Sequence, residues 1–241
     1  MKISVVTICF NAKSTLEETL NSVISQTYKN IDYVIIDGSS TDGSVELLRQ
    51  YAEKYDNIKL VSEPDTGIYN AMNKGVRNAE GEYVFFLNAG DVFASENVIE
   101  KFVSSATDDK DIYYGDIIFG KEPVTQPAQL SLFSLIWLER MICHQSIFAK
   151  RRLLLAIPFD ETYKINGDRV WLIEALKAGA GCRHITDFPV AVYDINGLSS
   201  VYENFSVESL RIGKQFAGRK CVVFIHLKRK VGKVLRKIKG K

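Results

Sequence analysis

The stretch ISVVTICFNAKSTLEETLNSVISQTYKNIDYVIID, residues 3–37, decides the fold. Its opening ISVVTI (3–8) is β-branched at every position except Ser4, which predicts a buried strand. Leu16, Leu20, Val23 and Ile24 then recur at helical spacing, and Ser14 with Glu17 has the form of a capping box at the helix start. DYVIID (32–37) is a second strand. Outward from there the alternation continues. Val45, Leu48 and Tyr51 mark a helix, and IKLVS (58–62) a strand. A helix around 67–79 carries Ile68, Met72 and Val76 on one stripe, and EYVFFL (82–87) is a fourth strand. Strands joined by helical crossovers predict an α/β fold, with a mostly parallel central sheet and helices on both faces. Ligands of such sheets bind beyond the carboxyl ends of the strands, where Asn11, Asp37, Glu63, Asp65, Asn88 and Asp91 stand.

The second half is less regular. We expect a helix over 95–105, a strand over 111–119, a loop over 120–130 around Pro123 and Pro127, and a helix over 168–178. Two strand-like runs, 182–186 and 189–194, precede a helix starting near Glu203. With 241 residues, 46% hydrophobic and 25% charged, the chain can build one large core. Its net charge of +2 hides an asymmetry: no carboxylate follows Glu208, whereas 12 of the 31 cations do. We therefore divide the chain into a catalytic domain, 1–208 (a nucleotide-binding half, 1–91, and an acceptor half, 92–208), and a basic tail, 209–241.

From Phe224 onward, Leu227, Val231, Val234, Leu235 and Ile238 form an apolar stripe among lysines and arginines. That pattern predicts an interfacial helix over 224–241 on an anionic membrane surface. The acidic body argues against a nucleic-acid partner. No apolar run approaches the ~20 residues that span a bilayer, and MKISVVTICF reads as a first strand rather than a signal peptide. The expectation is a cytoplasmic protein, peripheral on the inner face of the plasma membrane. Cys9, Cys143, Cys182 and Cys221 show no metal-binding spacing and read as reduced thiols.

The glycine loops that cradle pyrophosphate are absent: CFNAKST follows the first strand, and no G-x-x-x-x-G-K-[ST] occurs. A bound diphosphate would need another neutralising partner, and Mn²⁺ or Mg²⁺ is the natural one.

Three ordered stretches, SVVTICFNAKSTLEETLNSVISQTY, YVIIDGSSTDGS and EPDTGIYNAMNKGVRNAEGEYVFFLNAGD, resemble the family-2 inverting glycosyltransferases of bacterial surface-polysaccharide type. The resemblance implies a GT-A-like nucleotide-diphospho-sugar transferase fold and an enzyme that moves a sugar onto an acceptor hydroxyl with inversion. It implies a donor site of Thr7, Asn11, Asp37, Asp65, Asn73, Asn88 and Asp91, with Asp37 on a base N–H and Asp91 on the metal. A uracil base suits Asp37. Asn88-Ala89-Gly90-Asp91 departs from the family's Asp-x-Asp pattern, and Met72 stands where an arginine is frequent. Asp168, near a helix start, corresponds to the catalytic base, although Gly167 replaces a frequent glutamate. His144 and Gln145 lie near donor phosphates or acceptor, and Gly197 is a candidate loop hinge. Asp42 reads as a turn-former, and Trp137, Trp171 and Tyr193 as core. The implied partners are a nucleotide-diphosphate sugar and a saccharide acceptor, lipid-linked on a polyprenyl diphosphate or soluble, in O-antigen or capsule synthesis. Alternatives are a sugar nucleotidyltransferase and a non-catalytic saccharide- or lipid-binding member.

Overall fold

The computed structural model describes residues 1–193 and 202–239, and within its last helix the side chains of 205–232. The Gly197 hinge lies outside the described residues. The first half follows the expected alternation: β1 (Ile3–Cys9), α1 (Lys13–Ile24), β2 (Ile31–Asp37), α2 (Ser44–Lys54), β3 (Ile58–Ser62), α3 (Ile68–Asn78) and β4 (Tyr83–Phe86). β1 pairs in parallel with both β2 and β4, and β2 with β3. β2 is buried at all seven positions, as a two-faced central strand must be.

The second half adds β5 (Val92–Phe93), α4 (Val98–Ser105), β6 (Ile112–Phe119), β7 (Glu122–Val124), α5 (Leu132–Ile136), a 3₁₀ turn at His144–Ser146, β8 (Ile147–Lys150), α6 (Arg151–Ala156), α7 (Gly167–Lys177), β9 (Cys182–Tyr193) and α8 (Tyr202–Lys239). The sheet runs β3-β2-β1-β4-β8-β6-β9-β5, with β7 beside β6. β8 is antiparallel to both β4 and β6, so the parallel half gives way to a mixed one. Two core clusters fill the faces, one under α3, α5 and α7, the other under α1 and α4.

Several expectations need correction. The Ser14 capping box does not form: Ala12 is the N-cap, and Asp42 Oδ2 instead accepts from Lys13 N at 3.0 Å. Residues 120–130 contain β7, which closes a hairpin on β6. The two expected runs join as one strand, Cys182–Tyr193, with a bulge opposite Gly115 and Asp116, and residue 194 lies outside the described residues. Residues 208 and 209 both lie in α8. α8 turns back at Gly218 (φ 72°, ψ −170°), so that Arg229 reaches the hydroxyl of Ser206 at 2.6 Å. Ser209, Ile212, Cys221 and Ile225 are all 0% exposed. Among the described residues, no helix is long and apolar enough to cross a membrane.

Candidate active site

The carboxyl ends of β1, β2 and β3 lie side by side and form one edge of the candidate site. After β1 the chain turns sharply at Asn11 (φ 47°), whose Oδ1 accepts from Thr41 N at 2.8 Å and whose own N–H donates to Ser40 Oγ at 2.8 Å. Asn11 thus ties the β1 turn to the loop after β2. Asp42 accepts from both the N–H and the hydroxyl of Ser44, the turn role expected of it. Asp37 is fully buried; its carboxylate accepts from Ser40 N at 3.0 Å, Ser62 Oγ at 2.8 Å and the Ser40 hydroxyl. An ionised carboxylate has about four acceptor positions. Three are engaged here, which fixes the carboxylate between the Ser40 turn and Ser62 at the end of β3.

Asp65, Gly38 and Phe10 lie close together at this edge. Asp65 Oδ1 accepts from Gly67 N at 2.9 Å. Its Oδ2 lies only 2.6 Å from where a Cβ on Gly38 would sit, so any side chain at 38 would displace it. The Phe10 ring flanks the same point at 3.2 Å and is 64% exposed, unusual for a phenylalanine. The sequence pattern did not single out Phe10; its position directly after a buried strand was the available signal. Lys164 Nζ, 3.5 Å from Thr66 O, brings a cation to this loop, whereas Met72 is wholly buried in the core.

Thr7 and Asn73, both expected on the donor, are buried and bonded to neighbouring residues. Thr7 is 0% exposed, with its hydroxyl on Leu87 O at 2.8 Å and on Tyr33 OH at 3.0 Å. Asn73 uses both ends of its amide on Phe159: Nδ2 donates to the carbonyl and Oδ1 accepts from the N–H, each at 2.9 Å. Buried polar groups must be bonded internally, and both residues meet that demand inside the fold.

The second edge begins beyond β4. Asn88-Ala89-Gly90-Asp91 closes a turn through Asp91 N to Asn88 O at 3.0 Å. Gly90 takes φ 102°, which explains a glycine where the family has an acid. Thr19 of α1 pins this turn, donating to Asp91 O at 2.8 Å and accepting from Gly90 N at 3.0 Å. The 3₁₀ turn before β8 then reaches both edges of the motif. Gln145 Nε2 donates to Asp91 Oδ2 at 2.8 Å, and Asn88 Nδ2 donates to His144 Nε2 at 2.9 Å. With Nε2 accepting, the ring proton belongs on Nδ1, which donates to Asp168 Oδ2 at 3.2 Å.

Asp168 stands in the first turn of α7, 4% exposed, with Oδ1 accepting from Arg169 N at 2.7 Å. Gly167 is required by its neighbour: the Tyr69 ring lies 2.6–2.7 Å from where its Cβ would be. The glutamate frequent there in relatives has no room. Phe86, Phe159 and Trp171 line a cavity of about 10 Å³ under His144 and Asp168, so the floor is apolar. Arg169 is buried; burial lowers its pKa to about 10, leaving it charged, and it donates to Leu135 O and Ser209 Oγ at 2.7 and 2.8 Å. Burial raises the Cys9 and Cys182 thiols to about 11, and the Cys143 thiol donates to Gln145 Oε1 at 2.7 Å, at the other end of the amide that holds Asp91.

Residues 4–177 match the family described as Glycosyl transferase family 2. The chain belongs to glycosyl transferase family 2. Among curated family-2 relatives, a PGL/p-HBAD biosynthesis glycosyltransferase of Mycobacterium bovis is 28% identical over 202 residues, covering 82% of this chain and 78% of the relative. A cholesterol galactosyltransferase of Borreliella burgdorferi is 33% identical over 111 residues, 46% of this chain and 31% of that protein. The fold is that of S. aureus TarS in complex with UDP (TM-score 0.71, 19% identity, 88% of this chain and 64% of that one). It is also that of the mannosyltransferase PcManGT of Pyrobaculum calidifontis in complex with GDP-Man and Mn²⁺ (TM-score 0.68, 17% identity, 94% and 73%). The protein is therefore a glycosyltransferase dependent on a nucleotide sugar, with a GT-A fold.

The residues at the turn after β4 fit a divalent cation held jointly with substrate. Asn88 Oδ1 is buried with no partner among the described residues, beside the 3% exposed Asp91. Among the described residues no group of three His, Cys, Asp or Glu converges, so the protein would supply only part of the coordination shell. That suits Mg²⁺ or Mn²⁺, which take one or two carboxylates and complete their shell with phosphates and water.

Proposed function

We propose that this glycosyltransferase moves one sugar, with inversion, from a nucleotide-diphosphate sugar to a hydroxyl of a saccharide carried on a polyprenyl diphosphate, in bacterial surface-polysaccharide assembly such as O-antigen or capsule. The observation that carries the reading is the hydrogen-bonded chain Asn88–His144–Asp168 with Asp91–Gln145 beside it. It joins a diphosphate-side motif to a carboxylate placed on the acceptor side. A UDP-sugar is favoured because TarS, of the same fold, binds UDP and UDP-GlcNAc, although PcManGT binds GDP-Man. A lipid-linked acceptor is favoured because a relative bears the name cholesterol galactosyltransferase and because the tail is basic and amphipathic.

In this reading the nucleobase rests on Phe10, and its ring N–H donates to Asp65 Oδ2. Asp37 and Asn11 hold the loops behind it. The diphosphate lies against Asn88 and Asp91, with Gln145 fixing the Asp91 carboxylate. Asp91 and Asn88 would hold a divalent cation, which would supply positive charge to the leaving diphosphate. The acceptor hydroxyl approaches Asp168. As its oxygen bonds to the anomeric carbon, Asp168 takes the proton and the bond to the diphosphate oxygen breaks, releasing the nucleoside diphosphate. His144 Nδ1–H and Arg169 N hold the carboxylate in place for that transfer, so His144 is a positioning residue. The tail, 224–241, docks the enzyme on an anionic inner leaflet close to its acceptor.

The test is a panel of nucleotide sugars with Mn²⁺ or Mg²⁺, scored by nucleoside diphosphate release and by calorimetric donor binding. The expected result is binding and release from one donor, both lost in Asp91→Ala. A donor that binds and turns over equally in Asp91→Ala would remove the diphosphate from this site.

A further inference from the structure

The folded-back half of α8 has two faces. Cys221 and Ile225 point into the core, and Lys228 donates to Leu138 O at 2.8 Å and pairs with Glu139 at 2.8 Å. The opposite face is open: Val223 is 58% exposed, Leu227 and Val231 each 57%, and Phe224 36%. Spacings of three and four place these residues on one stripe. Arg219, Lys220 and Lys230 flank it, all exposed and without ion pairs among the described residues.

The stripe does not end at α8. The Phe224 ring meets Trp137 edge-on at 5.6 Å, and Trp137 stacks on Phe133 at 6.2 Å. Phe133 of α5 is itself 57% exposed. The apolar surface thus continues across two elements as an aromatic ridge, with Arg140 exposed nearby. A soluble surface rarely keeps such a patch uncovered unless something covers it in use. Cations around an aromatic and aliphatic centre, with no carboxylate after Glu208, match the anionic headgroups and acyl boundary of a bilayer.

Both elements of the ridge also bond to residues flanking the candidate base. Arg169, adjacent to Asp168, donates to the carbonyls of Leu135 and Ile136 in α5 and to Ser209 of α8. Glu208 of α8 accepts from the backbone N–H groups of Lys164, Ile165 and Asn166, the segment that leads into α7.

We propose that the ridge Phe133–Trp137–Phe224, with Leu227 and Val231, is the docking face for an anionic lipid bilayer, so that α5 inserts together with α8 and the Asp168 side of the cleft is held towards the lipid. This deepens the tail-docking reading above and rests on it.

The experiment is co-sedimentation of the full chain with phosphatidylcholine vesicles, with and without phosphatidylglycerol, for wild type, Phe133→Ser and Leu227→Ser. Both side chains are exposed, and circular dichroism with nucleotide-sugar turnover checks that each variant is folded. The expected result is binding that needs phosphatidylglycerol and is weakened about tenfold by either substitution. Weakening by Leu227→Ser alone would overturn the role of α5 and leave the tail reading standing. Loss in neither variant would overturn both. Absence of vesicle binding, with a dimer in sedimentation that Phe133→Ser dissociates, would assign the ridge to a second copy of this chain and overturn the lipid proposal.

Discussion

At Gly167 the molecule gives up a carboxylate that relatives commonly carry, and the reason is one ring. Tyr69 lies against the glycine, and its hydroxyl reaches Ile165 O at 2.5 Å, which fixes the approach to α7. Gly167→Ala should therefore cost about 1–3 kcal/mol through overpacking, read as a lower denaturation midpoint at unchanged slope. His144 acts through its neighbour. His144→Ala removes one of the two hydrogen bonds on Asp168, so kcat should fall about tenfold or more with donor binding unchanged; equal loss of donor affinity would move His144 to the diphosphate. Residue roles were only partly legible in sequence. Asp91, His144, Gln145 and Asp168 do come together. Thr7, Asp37 and Asn73 are buried and bonded within the fold, and sequence does not show whether such a polar group meets a ligand or a partner behind it. Phe10 was overlooked because an exposed aromatic and a core aromatic look the same in sequence.

At the scale of elements, length separates what was legible from what was not. β1 and β2 have seven residues each, and β-branched runs of that length declare themselves. β8 has four residues and α5 five, too few for a period to show. Yet β8 carries the His144–Ser146 turn to the site, and α5 carries the ridge. The joint between α5 and α8 should be sensitive to acid. Glu139 lies just past α5 with its carboxyl held below the usual value: burial alone would raise it, and hydrogen bonds from Arg229 and Lys228 outweigh that. A group lowered in the folded state contributes stability above its unfolded value and loses it as pH falls through the folded one. Amide exchange over 219–232 should thus rise as pH drops below the ordinary carboxylate range, ahead of exchange in β1. Simultaneous exchange of both would show that Glu139 governs no local step.

For the whole molecule, the parallel half was readable because each of its strands is followed by a helix and then by the next strand. The order β4-β8-β6-β9-β5 rests on pairings between distant segments, which no local pattern encodes. The fold-back of α8 hangs on one residue inside an otherwise helical stripe. Gly218 sits at φ 72° and ψ −170°, a region essentially confined to glycine. Gly218→Ala should destabilise the folded-back form by about 1–3 kcal/mol, seen as a lower melting temperature and a larger radius of gyration as the second half swings away. An unchanged radius and melting temperature would show that the turn does not depend on this conformation.

The central claim is that Asp168 takes the acceptor's proton in a cleft whose donor side is separate from it. The most direct measurement is single-turnover sugar transfer by Asp168→Asn, with donor saturating and its affinity measured in parallel. The account predicts a transfer rate about 10²–10⁴-fold below wild type with donor affinity retained. Transfer at the wild-type rate would contradict it.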